Sequence, residues 1–181
     1  MKLEIKNVSK ALPEYRRITN LMKNAFPKEE QYPIWLLKLW NLKKDVNFWA
    51  YYQNEEFCGI SYLVYHEEMI FVLYLAVDDQ VHSKGYGSAI LKTLKEKFNG
   101  KNITLNIERL DTNAVNYEQR VKRLNFYKRN GFYDTEYTIT DRGETFLTLS
   151  TSDSFSVDAF KSVLKKLTFG VDLSKIEKYE S

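Results

Sequence analysis

Residues 69–77 read "MIFVLYLAV", nine apolar positions in a row. A strand with one face in water alternates apolar with polar side chains. This run has no polar face, so it predicts a central strand covered on both sides. The stretch "HSKGYGSAILKTL", residues 82–94, follows it closely and places two of the chain's seven glycines around Tyr86 before a helical pattern begins. A strand that ends in a glycine-bearing turn and feeds a helix suits a phosphate. The helix start offers unpaired N–H groups and the positive end of the dipole. Glycine lets the backbone come close to an anion. Lys84 adds a charge and Ser88 a hydroxyl. The stretch is not a Walker A loop, because no Gly-Lys-Ser/Thr follows a four-residue gap. It is a poor dinucleotide fingerprint, because Ile90 stands at the third glycine position. What remains is x-x-x-Gly-x-Gly around a pyrophosphate.

The rest of the chain alternates helix and strand signals. "KLEIKNV" predicts a first strand. Pro13 opens a helix with Tyr15, Ile18, Leu21 and Met22 along one stripe, and "IWLLKLWNLKK" a second carrying Trp35 and Trp40, with "AFPKEEQYP" between them. "VNFWAYYQ", the turn "NEE" and "FCGISYLVYH" make a hairpin, which reverses at Glu67-Glu68 into the apolar run. From Tyr86, positions Ala89, Ile90, Leu91, Leu94 and Phe98 form the apolar side of a helix that stops at Asn99-Gly100. "NITLNIERL" is a strand with Ile103, Leu105 and Ile107 on one face and Thr104, Asn106 and Glu108 on the other. "NYEQRVKRLNFYKRNG" is a helix ending at Gly131, with Tyr117, Val121 and Leu124 on one face and Arg120, Arg123 and Tyr127 on another. "FYDTEYTIT", "DRG" and "ETFLTLS" close a hairpin, and Ser156 caps a last helix with Val157, Phe160, Leu164 and Leu167 on one side. This order predicts an α+β chain with a mixed sheet: a domain over 1–150 and a helical extension over 151–181 packed on it.

Composition narrows the function classes. A net charge of +3 falls short of a nucleic-acid binder. One cysteine, Cys58, excludes an intrachain disulfide and points to a reducing, cytoplasmic setting. Two histidines and one cysteine make no structural zinc site, so no metal is expected. The N-terminus has no signal-peptide apolar region, and no stretch reaches the length of a membrane span.

"HSKGYGSAILKTL" after "LYLAV" resembles the coenzyme A loop of the GNAT-superfamily N-acetyltransferases, whose usual pattern is Gln or Arg, two residues, Gly, one residue, Gly or Ala. Here His82 holds the first position. "NFYKRNGF" is similar to the family's second signature, a Tyr at a helix end followed four residues later by Gly-Phe: Tyr127, Gly131 and Phe132. Arg120 and Arg123 stand where the family often has Asn and a small residue. The wider string "EQRVKRLNFYKRNGF" looks like a bacterial branch of unassigned substrates. The resemblance spans roughly residues 1 to 150, judged by element order.

The resemblance implies a GNAT-like acyl-CoA N-acyltransferase fold with an extra C-terminal helix, and acetyl-CoA as cofactor. The pyrophosphate would rest on the N–H groups of Ser83, Lys84, Gly85, Tyr86, Gly87 and Ser88, with the His82 side chain able to reach a phosphate. The pantetheine arm would pair with the strand end Leu75, Ala76 and Val77, and the Val77 N–H would take the oxyanion. Tyr127 would be the acid for the departing thiolate. Glu108, on the polar face of the neighbouring strand, is the first candidate for a base to deprotonate the amine, and Glu30 the second. Arg120 and Arg123 join the cofactor-binding set, suited to a cofactor phosphate or an acidic substrate; the bland alternative is a solvated basic helix face. The implied activity is acetyl transfer to a primary amine of a small molecule or peptide by direct attack. A non-catalytic coenzyme A-binding or interaction module is the second reading. The apolar side of the C-terminal helix has three outlets: the sheet, a homodimer interface or the substrate cleft.

Overall fold

The tightest turns set the strand order. In the computed structural model, which describes residues 1–81, 85–141, 143–167 and 175–179, Asn54 and Glu55 both take left-handed φ, 48° and 67°. Two such residues match the natural twist of a hairpin. They join β2 (Val46–Gln53) to β3 (Glu56–His66), paired antiparallel from Val46 opposite Val64 to Gln53 opposite Glu56. β1 (Glu4–Asn7) borders β2, and β3 turns at Glu67 into β4 (Met69–Val77). After α3 (Tyr86–Lys97) come β5 (Asn102–Glu108), α4 (Tyr117–Arg129), β6 (Tyr133–Asp141), β7 (Glu144–Ser150), α5 (Val157–Leu167) and β8 (Lys175–Lys178). The N-terminal helices are α1 (Tyr15–Ala25) and α2 (Ile34–Trp40). Eight strands hydrogen-bond in the order β1-β2-β3-β4-β5-β7-β6-β8. The pairs β1–β2, β2–β3, β5–β7, β6–β7 and β6–β8 are antiparallel, and the sheet as a whole is mixed, as the sequence predicts.

The chain divides into two compact units, residues 1–64 with 72–99 and residues 65–71 with 100–181. In the first, two tyrosine hydroxyls tie the N-terminal helices to the strands. Tyr62 donates to the Leu37 carbonyl at 2.8 Å. Tyr74 donates to the Glu30 carbonyl at 2.7 Å and accepts the Tyr32 N–H at 2.9 Å. The segment between α1 and α2 is therefore held by its backbone. Trp40 is buried, whereas Trp35 is 66% exposed. Gly59 in β3 is needed for close approach: a Cβ there would lie 2.5 Å from the Ala76 carbonyl oxygen and 3.0 Å from Ile90 Cδ1.

In the second unit β7 lies between β5 and β6, from Thr104 opposite Ser150 to Glu108 opposite Phe146. β6 bulges between Asp134 and Thr138, with Glu136 at φ 62°. Ser156 caps α5 by accepting the Ala159 N–H at 3.2 Å. Phe160, fully buried, meets the rings of Phe71 and Phe155 at 5.3 and 5.5 Å. The apolar side of α5 is thus covered within its own unit, with Val163 buried where the sequence suggested Leu164. β8 was not foreseen: its sequence, "KIEK", has one apolar residue and follows a helix. It pairs with β6 from Tyr137 opposite Lys178 to Thr140 opposite Lys175.

Candidate functional site

β4 departs from the expected double burial. Met69 to Val72 are buried on both faces, but beyond them only Tyr74 and Ala76 are; Leu73, Leu75 and Val77 are half-exposed. Successive side chains alternate faces, so one face of the strand's second half is apolar and open. The Asp78 N–H donates to the Cys58 carbonyl in β3 at 2.9 Å. Backbone groups of consecutive strand residues point to opposite edges, so the Val77 N–H points away from β3.

Asp78, 4% exposed, fixes the turn that follows. Arg17 on α1 grips it with a two-pronged contact, Nε to Oδ2 and Nη2 to Oδ1, both 2.8 Å. The Gln80 N–H donates to Oδ1 at 2.9 Å. The bonded carboxylate raises the Arg17 pKa above its ordinary value, against an opposing desolvation effect. Neither residue stood out in the sequence; they are 61 positions apart.

The helix that follows starts on a left-handed residue. Gly85 has φ 78° and precedes α3 as its N-cap. A Cβ there would meet nothing within 4 Å, so the dihedral and not crowding selects glycine. Having no side chain, Gly85 leaves the N–H groups of Tyr86, Gly87 and Ser88 without an acceptor from the cap residue. Tyr86 turns its ring inward, 6% exposed. Its N–H is therefore the part it can offer a ligand. His82, Ser83 and Lys84 lie outside the described residues.

In the second unit, the spacing from Tyr127 to Gly131-Phe132 has a mechanical cause. Gly131, at φ 72°, closes α4. The Gly131 N–H donates to the Lys128 carbonyl at 3.0 Å and the Phe132 N–H to the Tyr127 carbonyl at 3.1 Å. This pair of bonds is a Schellman cap, which brings the residue after glycine back onto the helix's last turn. Phe132 thereby packs edge-on against Tyr127, ring centroids 5.5 Å apart, and Phe126 does the same at 5.1 Å. Tyr127 is the one buried residue of α4, at 8% exposure. Burial pushes its phenol up to about 12, with Arg123 pulling the other way. Its hydroxyl makes no hydrogen bond among the described residues.

At the end of β5, Glu108 accepts from two donors and is ion-paired with a third side chain. Asn116 Nδ2 donates to Oε1 at 2.9 Å, Arg120 Nε lies 3.8 Å from Oε1, and Arg123 Nη1 donates to Oε2. Arg120 also donates from Nε to Asn116 Oδ1 at 2.8 Å and from Nη1 to the Arg109 carbonyl at 2.7 Å. Asn116 is the N-cap residue of α4 but makes no capping bond; its side chain joins Glu108 to Arg120 instead. The carboxylate expected as a base is thus paired with the two arginines expected at the cofactor. Glu30 lies in the 3-10 turn Lys28–Glu30, its carbonyl fixed by Tyr74. Among the described residues no three His, Cys, Asp or Glu side chains converge as metal ligands, and no helix is long and apolar enough to cross a membrane.

Comparison with known proteins bears on the whole arrangement. The family model for the GNAT acetyltransferase domain matches residues 44–134. A GNAT-family acetyltransferase from Bacteroides thetaiotaomicron superposes with TM-score 0.74 at 19% identity, covering 93% of this chain and 99% of the other. A GNAT acetyltransferase from Elizabethkingia anophelis with acetyl-CoA bound gives 0.57 at 15%, over 83% and 98%. An aminoglycoside 6'-N-acetyltransferase complexed with coenzyme A gives 0.61 at 13%, over 84% and 98%. No curated protein sequence matches the chain.

Proposed function

Because the chain belongs to the GNAT acetyltransferases, we propose that it transfers the acetyl group of acetyl-CoA to a primary amine of a small molecule or peptide by direct attack in a ternary complex. The observation that carries this reading is the end of β4. An open apolar face, a backbone N–H directed away from β3 and a glycine-capped helix start follow one another within 16 residues, from Leu73 to Ser88. These features fit an extended apolar arm that ends in an anion.

When bound, acetyl-CoA supplies the activated thioester. The N–H groups of Gly85 to Ser88 would hold its pyrophosphate, and the strand end at Leu75, Ala76 and Val77 would run along the arm. The Val77 N–H would be the donor for the thioester carbonyl oxygen, and such a preorganised donor contributes about 3 kcal/mol. Tyr127 keeps its proton at neutral pH and donates a hydrogen bond toward sulfur. Full transfer from a phenol near 12 to a thiolate whose acid is near 8.5 lies uphill by about 5 kcal/mol, so donation precedes transfer. Glu108 buttresses Arg120 and Arg123 in this reading. The base is Glu30 or a water chain that delivers the amine unprotonated.

Tyr127→Phe tests the reading. The ring packing survives, and no hydrogen bond of the hydroxyl to a described residue is lost. Acetyl-CoA affinity should stay within twofold, while turnover on an amine panel, read as free thiol, falls about a hundredfold or more. Unchanged turnover would remove Tyr127 from the mechanism; no turnover by the wild type on any amine, with acetyl-CoA still bound, would favour the binding-module reading.

A further inference from the structure

Glu108 neutralises one of the two guanidinium groups that it holds, and both are fixed in direction. Arg120, with 22% of its side chain exposed, is committed through Nε to Asn116 and through one Nη1 hydrogen to the Arg109 carbonyl. Arg123, 43% exposed, is committed through Nη1 to Glu108. Among the described residues, Arg120 Nη2 and Arg123 Nε and Nη2 have no acceptor. A clamp built for stability alone needs one arginine per carboxylate. Here a second arginine is added, a net positive charge is left, and a side chain usually given to helix capping is diverted to orient the group. Preoriented guanidinium forks of this kind match the two oxygens of a carboxylate or phosphate.

We propose that Arg120 and Arg123, buttressed by Glu108 and Asn116, form an anion-recognition site that takes a carboxylate or phosphate group of a bound ligand. The site is complete within the second unit, and Arg123 acts electrostatically on Tyr127, the residue assigned as acid. The source of the anion is either the amine acceptor, which would then be an amino acid or an acidic amine, or a phosphate of the cofactor. This choice of sources rests on the acetyltransferase reading; the anion site does not.

Two arms decide it. In the first, inorganic phosphate and glutarate are titrated into the whole protein while the arginine Nε–H signals are followed by NMR, the Arg123 signal being assigned by its loss in Arg123→Gln. The Arg120 and Arg123 signals should shift saturably with at least one of the two anions. In Arg123→Gln the Arg120 signal should respond with affinity at least tenfold weaker. Arg123→Lys, which keeps the charge but loses the fork, should recover only part of it. No saturable shift, or equal affinity in wild type and Arg123→Gln, overturns the proposal, whether or not acetyl-CoA binds. The second arm identifies the source. A phosphate source makes Arg123→Gln weaken coenzyme A but not pantetheine. A carboxylate source leaves coenzyme A within twofold and abolishes the wild type's preference for an amino acid acceptor over its α-amide.

Discussion

Asp78 and Glu108 are two carboxylates at the ends of strands, each met by arginine, yet they are built to opposite ends. Asp78, with 6% of its side chain exposed, meets one guanidinium in a matched two-pronged contact and also anchors a backbone N–H. Charge is balanced one to one. Glu108 keeps 14% exposure and gathers two arginines, leaving positive charge and donors over. A matched, buried pair fixes backbone: here the turn that leads from β4 toward α3. An unmatched, half-exposed cluster offers its surplus to something else. The same residue types therefore make a clamp in one unit and a reader in the other, and stoichiometry tells them apart.

Removing the clamp should do the most damage. Arg17→Ala leaves a buried carboxylate without its counter-charge and should cost about 3 kcal/mol or more in urea unfolding. A cost below about 1 kcal/mol would mean that Asp78 finds other partners and would break the contrast. Gly59→Ala tests the same end of β4 through packing. Its Cβ would collide with the backbone at Ala76, and the expected loss is about 2 kcal/mol. Tyr127 gives a third measure through pH. Its folded pKa of about 12 lies above the unfolded value near 10. The folded state holds this proton more tightly, so the resulting stability is present below pH 10 and is lost as pH rises toward 12. Wild type should lose up to about 2.7 kcal/mol relative to Tyr127→Phe across that window. Parallel pH curves would show that the phenol is better solvated than its burial indicates. The smallest change should come from Arg123→Gln, within about 1 kcal/mol of wild type in unfolding. A loss as large as that of Arg17→Ala would make the Glu108 cluster a second clamp.

The sequence makes one half of this comparison legible and hides the other. Tyr127, Gly131 and Phe132 could be read from spacing because a Schellman cap is a local device that repeats the same four-residue interval. Gly85 could be read as a close-approach glycine before a helix, but the left-handed φ of 78° that selects it was not legible. All five helices carry apolar periodicity, and all are present. Arg17 and Asp78 could not be paired, since only the fold brings together residues 61 positions apart. Arg120 and Arg123 stood out on one helical face, but nothing in the sequence singled out Asn116, and the closure of the cluster onto Glu108 depends on how α4 returns to β5. The apolar run at 69–77 suggested burial on both faces along its whole length; composition cannot show that its second half opens on one side. β8 escaped notice because "KIEK" has almost no apolar face to announce a strand.

The account stands first on acetyl-CoA, and a thermal melt tests that most directly. Acetyl-CoA at a hundred times its Kd adds about 2.7 kcal/mol to stability, which for a chain of this size predicts a Tm higher by roughly 5 to 10 °C. NAD and ATP at the same concentration should leave Tm unmoved. A shift with acetyl-CoA alone is the predicted result. No shift at saturating acetyl-CoA would contradict the acetyltransferase reading and leave a GNAT fold that binds something else at the end of β4.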